Sequence, residues 1–177
     1  MAVLVLIFCA PAMAEEARLT NIILTDTPDA LRLFLAVEGS LPSKTEETIQ
    51  NGVPVSFSFS IRLYRSIGFW PDKKIVDIFL THSVKYNSLK KSYEVSRSWD
   101  EKSPMVVYSF DAAKKLMTEI DGLDIIALSR LERGNRYQLQ AKATLQQITL
   151  PYYLHHVLFF VSLWNIETDW YTIDFIY

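Results

Sequence analysis

Cysteine is nearly missing from this chain, with Cys9 the single example. One thiol excludes an internal disulfide framework and the Cys-rich zinc motifs. Glycine is scarce too, with 5 in 177 residues, and neither G-x-G-x-x-G nor G-x-x-x-x-G-K-[ST] occurs. That excludes the glycine-rich loops that cradle phosphates. No charge sign dominates: 18 Lys and Arg face 20 Asp and Glu, with no basic stripe interleaved with aromatics. Nucleic acid is therefore not an expected partner. There is no G-x-S-x-G, no linker, no low-complexity tract and no repeat of fixed period. A serine hydrolase with a nucleophile elbow is not indicated.

What is present begins with an address. Val3 to Cys9 is apolar and uncharged, Ala12-Met13-Ala14 follows, and then come Glu15 and Glu16. A short apolar core ahead of an A-x-A site is the pattern of a secretory signal peptide, although no Lys or Arg precedes this core. The run is too short for a membrane span, which needs about 20 residues. Residues 1–14 are thus expected to be a signal peptide and residues 15–177 a single domain. Cleavage after Ala14 removes Cys9. Every Lys, Arg, Asp and Glu lies beyond Ala14. The expected location is outside the cytoplasm, in the periplasm. There the domain relies on its core for stability, with no covalent staple.

Period-2 alternation dominates the rest. Leu31, Leu33, Leu35 and Val37 alternate with Arg32, Phe34, Ala36 and Glu38. Val55, Phe57, Phe59, Ile61 and Leu63 alternate with serines, Arg62 and Tyr64. Val76, Ile78, Leu80, Val84 and Tyr86 share one parity, with His82 in phase. Tyr93, Val95 and Arg97 share another, as do Tyr137, Leu139, Ala141, Ala143 and Leu145. Tyr171, Ile173, Phe175 and Tyr177 close the series. Such patterns predict strands with one buried face. Shorter strands are expected near 105–109 and 125–131.

Two helices are expected. Ser43-Lys44-Thr45-Glu46 forms a capping box, and Gly52 with Pro54 ends the short helix it opens. Ser109 can cap a second, over 110–121, with Phe110, Ala113, Leu116, Met117 and Ile120 on one face. Gly122 is its expected stop. A third is conceivable over 152–161, after Pro151. Turns are expected at Glu38-Gly39, Ile67-Gly68, Asp121-Gly122 and Arg133-Gly134-Asn135. Together these features predict a mainly β fold, an antiparallel β-sandwich or strongly curved sheet with one or two short helices.

Candidates for chemistry are few. His155 and His156 are adjacent, so they diverge by about 100° on a helix and point oppositely on a strand. They do not suit one metal ion. His82 sits in the core phase of its strand and reads as a hydrogen-bonded, partly buried imidazole. Asp121 with Asp124, and Asp169 with Asp174, read as solvated or capping carboxylates. No catalytic residue, metal site or cofactor is expected. The aromatic residues are the unusual feature: 10 Phe, 9 Tyr and 4 Trp, crowded late in the chain. They suit an aromatic core, a partner-binding patch or a membrane-contacting surface. Trp164, Asp169, Trp170 and Tyr171 are the candidate interaction residues.

Several short pieces, in order, resemble a bacterial family. They are Ile49-Gln50-Asn51-Gly52-Val53-Pro54, Arg62 to Trp70, Tyr86-Asn87-Ser88-Leu89 followed by Tyr93, Tyr137 to Leu145, Leu150-Pro151, and Trp164 through Thr168-Asp169-Trp170. On these the chain resembles the DUF4390 family, with Thr168 standing where a Ser is expected. The resemblance implies a small exported bacterial protein with no assigned activity and no established catalytic residue. It also suggests an accessory to envelope signalling, partnered with a membrane sensor kinase. The expected function is a non-enzymatic periplasmic domain that binds a protein or other envelope component, with peripheral membrane contact compatible. The alternative is a carrier or sensor of a hydrophobic ligand or lipid held between sheet and helix. An enzyme ranks third and requires a cleft where carboxylates or His82 converge.

Overall fold

The computed structural model describes residues 17–39, 41, 45–68, 70–146 and 166–177. The expected signal peptide, the Ser43 end of the capping box, the expected helix over 152–161, His155, His156 and Trp164 lie outside these residues. The strands are β1 (Arg18–Asp26), β2 (Ala30–Glu38), β3 (Val55–Ile67), β4 (Trp70–Asn87) and β5 (Ser92–Arg97), then β6 (Met105–Val107), β7 (Glu119–Ala127), β8 (Arg136–Gln146), β9 (Ile166–Glu167) and β10 (Tyr171–Ile176). Helix α1 covers Thr45–Gln50 and α2 covers Phe110–Thr118. The fold is mainly β, as the alternation predicts.

Two sheets share the strands. One has the order β1-β2-β7, and the other runs β10-β8-β3-β4-β5-β6, with β9 added to β8. All the pairings are antiparallel. The inward residues of both sheets meet in one apolar cluster. Leu33, Phe57, Phe59, Ile61, Leu63, Leu139 and Leu145 are buried in it. Each such side chain stabilises the fold by about 1.5–3 kcal/mol relative to an exposed one.

The middle of the larger sheet is regular. β3 pairs with β8 from Ser56 to Arg65 with no register shift, so serines, Arg62, Gln138, Gln140 and Lys142 share the outer face. Period 2 fixes this segregation, because a one-residue slip would send every side chain to the wrong face.

The smaller sheet is irregular on both flanks of β2. The β1 register shifts between Thr20 and Ile23, where Asn21 has φ 50°. This bulge breaks the alternation, and β1 is a strand that the sequence pattern does not reveal. On the other side Leu33 pairs with Leu123 and Phe34 with Asp121, leaving Gly122 as the extra residue at φ 87°. Gly122 is therefore a bulge residue inside β7, where the positive φ favours glycine. It neither forms a turn nor stops α2.

Helix α2 ends three residues earlier than expected. Ser109 accepts a hydrogen bond from the Ala112 N–H at 3.3 Å, as a cap should. Ala113 and Met117 are fully buried. The chain turns extended at Glu119, which pairs with Ala36. Ile120 therefore belongs to the strand. Its spacing of three from Met117 and four from Leu116 continues the helical face past the real end of the helix. Residues 128–130 form a 3-10 turn instead of extending a strand to 131. In α1, Ile49 is fully buried, and Gln50 donates to the Tyr93 hydroxyl at 2.8 Å. The helix is thereby fixed against β5.

Candidate functional site

The candidate residues after 166 are positioned by a threonine. Thr168 is buried, its N–H donates to the Ala143 carbonyl at 2.9 Å, and its Oγ1 accepts from the Ala143 N–H at 3.0 Å. The same hydroxyl donates to the Asp169 carbonyl at 3.0 Å. Residue 168 thus exchanges two hydrogen bonds with β8 as a strand residue would, but with its side chain supplying one of them. Any hydroxyl at Cβ can do this, which explains why Thr is acceptable where Ser is expected.

From this clamp the chain presents Asp169, Trp170 and Tyr171 to solvent. Trp170 is 39% exposed and Tyr171 is 45% exposed. Trp170 lies on the outer face of the larger sheet. The Arg62 guanidinium carbon stands 4.6 Å from the indole centroid, and Lys142 Nζ stands 6.0 Å from it. A cation over an indole face is worth about 0.5–1 kcal/mol at an exposed site. Both cations are themselves paired. Arg62 Nε lies 3.6 Å from Asp77 Oδ1, and Lys142 Nζ lies 3.0 Å from Glu167. The Lys74 ammonium also bonds Asp77. That bond, with help from Arg62, holds the Asp77 carboxyl below its ordinary range. Phe79, 64% exposed, shares the face: it pairs with Ser60, two positions along β3 from Arg62.

Tyr171 does not join this surface. It pairs with Ala141 and has the parity of Ile173 and Phe175, the inward side of β10. Trp170 and Tyr171 are thus neighbours in sequence that serve opposite faces. Asp174 accepts from Gln138 Nε2 at 3.0 Å and does not approach Asp169 in a bonded pair. Asp124 is held by a two-pronged bond from Arg32, at 2.7 and 3.2 Å. No local pattern marks Arg62 or Lys142, because only strand pairing brings residues so far apart in the chain under one indole, and Phe79 joins their face by the same pairing.

His82 is the second feature with chemistry in it. Its ring is completely buried, with Phe59 at 4.9 Å between centroids. Trp99 Nε1–H donates to His82 Nε2 at 2.8 Å, and Nδ1 lies 3.1 Å from the Met117 carbonyl. An indole N–H can only donate, so Nε2 must be the bare nitrogen and Nδ1–H must donate to Met117. Burial pushes the His82 pKa down to about 4, Arg97 adds to the effect, and the Met117 carbonyl opposes it. The ring is more deeply buried than its sequence context indicates. Among the described residues no three His, Cys, Asp or Glu side chains group to hold a metal.

An open groove of about 800 Å³ lies beside the ends of β3, β4, β8 and β10. Ser66, Asp72, Asn135, Arg136, Asp174 and Phe175 line it, so its walls mix charge with apolar surface. No residue of α2 contributes to it. Among the described residues no helix is long and apolar enough to cross a membrane.

A family model described as a domain of unknown function, DUF4390, matches residues 14–174. No curated protein and no solved structure matches the chain.

Proposed function

Because the chain belongs to the DUF4390 family, whose activity is unassigned, we propose that it is an exported, non-enzymatic domain that binds an envelope protein through the outer face around Trp170. One observation carries this reading: a solvent-exposed indole flanked by two cations, with exposed Phe79 on the same sheet face. Tryptophan and arginine are the residues most enriched among interface hot spots. A monomer that buried Trp170 in its own core would need no such arrangement. The apolar segment Val3 to Cys9 followed by Ala12-Met13-Ala14 supports export. A membrane sensor kinase is the partner class that fits an accessory of envelope signalling.

In vivo crosslinking through a photoreactive residue at Phe79, followed by identification of the captured protein, tests the proposal. One membrane-associated protein should dominate the crosslinks, and Trp170→Ala should abolish its capture while the variant keeps its cooperative melt. Capture that survives Trp170→Ala and Arg62→Ala together overturns the assignment to this face. Loss of the melt in Trp170→Ala places the indole in the core instead.

A further inference from the structure

The larger sheet contains a second, unrelated device at His82. The ring is fixed on its own side: β4 pairs it with Phe57 on β3 and with Arg97 on β5, and its Nδ1–H is committed to the Met117 carbonyl of α2. Its other nitrogen holds the connection between β5 and β6 through the half-buried Trp99. That connection has further ties. The Ser98 N–H donates to the Thr81 carbonyl at 2.9 Å, and Ser98 Oγ accepts from the Thr81 N–H at 3.0 Å. Ser103 Oγ accepts from the Arg97 N–H at 2.7 Å. Arg97 pairs with Asp100 and lies 5.0 Å above the Trp99 ring.

We infer that His82 and Trp99 form a proton-operated latch: uptake of a proton by His82 releases Trp99 and opens residues 97–105, while the rest of both sheets stays folded. The reason is a count of donors. Neutral His82 offers one donor to Met117 and one acceptor to Trp99, and both are used. The imidazolium has two N–H groups and no acceptor. Its Nε2–H would then face the indole N–H at a separation of 2.8 Å. One ring must withdraw. His82 is held by a central strand, whereas Trp99 sits on a surface connection, so Trp99 is the one that moves. The charged groups facing the ring are Arg97 and Asp100. Arg97 repels the new charge, and Asp100 attracts it less closely from its pairing with Arg97. From β3 the ring meets Phe59, and from α2 it meets the carbonyls of Met117 and Leu116. Local opening of a poorly buried segment below the global unfolding limit is an ordinary mode of protein motion.

The test is an NMR acid titration of the full domain. It follows the His82 ring protons, the Trp99 indole N–H, and protection factors of the backbone amides. As His82 titrates, the Trp99 signal should move with the same midpoint, and protection over 97–105 should fall about tenfold or more. Amides of β3 and β8 should keep their protection. An unmoved Trp99 signal overturns the latch, and so does loss of β3 and β8 protection at the same midpoint. His82→Gln supplies one donor and one acceptor without a titration, so it should abolish the acid response of 97–105. Should that variant fail to fold, Trp99→Phe removes the clash. Its 97–105 protection should then be independent of the His82 titration, and a persisting acid-driven loss overturns the proposal.

Discussion

Two tryptophans among the described residues lie under arginines, and the two pairs have opposite fates. Arg97 covers Trp99 at 5.0 Å, and Arg62 covers Trp170 at 4.6 Å. Each arginine also faces an aspartate, Asp100 or Asp77. The side chains of Arg97 and Asp100 are 11% and 14% exposed, whereas those of Arg62 and Asp77 are 38% and 49% exposed. The chemistry is shared, and sheet parity separates the results. Arg97 has the inward parity of Tyr93 and Val95, so its pair closes over a buried imidazole. Arg62 has the outward parity of the β3 serines, so its pair stands in water. Ion pairs of the exposed kind contribute little to stability, which leaves them available for binding.

The sharpest way to break the buried pair's surroundings is to remove its floor. Phe59→Ala should cost about 3–5 kcal/mol, because it leaves a cavity beneath His82. Urea denaturation gives the value, and a loss under about 1 kcal/mol would mean that the core collapses around the site.

Acid should act next in size. Between pH 6.5 and about 4 the unfolded chain takes up the His82 proton and the folded one does not. Stability should therefore fall as pH drops through that window, by about 3 kcal/mol in all, and stop falling on this account below pH 4. Asp100 separates from this effect. The Lys102 N–H, assisted by Arg97, holds its carboxyl below the ordinary 3.8, so its contribution is lost only in more acid solution. Denaturation curves of wild type and His82→Gln, taken across the window, should converge toward acid pH.

Trp99→Phe should cost about 1–3 kcal/mol, since it leaves the buried His82 Nε2 without its donor. The matching change at the exposed pair is the smallest. Trp170→Ala should cost less than about 1 kcal/mol, the scale of an exposed cation–π contact, yet remove partner capture. A double-mutant cycle of Arg62→Ala with Trp170→Ala would show whether the two couple at all in the free protein.

The regular part of the molecule is legible from its residues. β3 and β8 read clearly because ten consecutive pairs keep one parity. His82 could be placed in the core phase for the same reason. The smaller sheet is harder, because Asn21 and Gly122 each sit at a register break and disturb the period. The helical reading of Ile120 fails there, since its spacing from Leu116 and Met117 still fits a helix although the chain is extended from Glu119. The candidate site was half visible. Trp170 stands out by type and by its late position, but its partners Arg62 and Lys142 come from strands whose adjacency no local pattern encodes. Trp99 is likewise silent in sequence, since its role depends on which nitrogen of a distant ring lies bare.

Thr168 gives the exposed surface a property that its composition does not. The segment carrying Trp170 is tethered to β8 by main-chain groups and one buried hydroxyl, in addition to the cations over the indole. The indole is thus delivered to solvent on a fixed mount. A partner that docks there need not supply the ordering cost of a mobile loop, so more of its contact energy appears as affinity. Substitutions of the indole should then alter how long a complex lasts more than how often it forms.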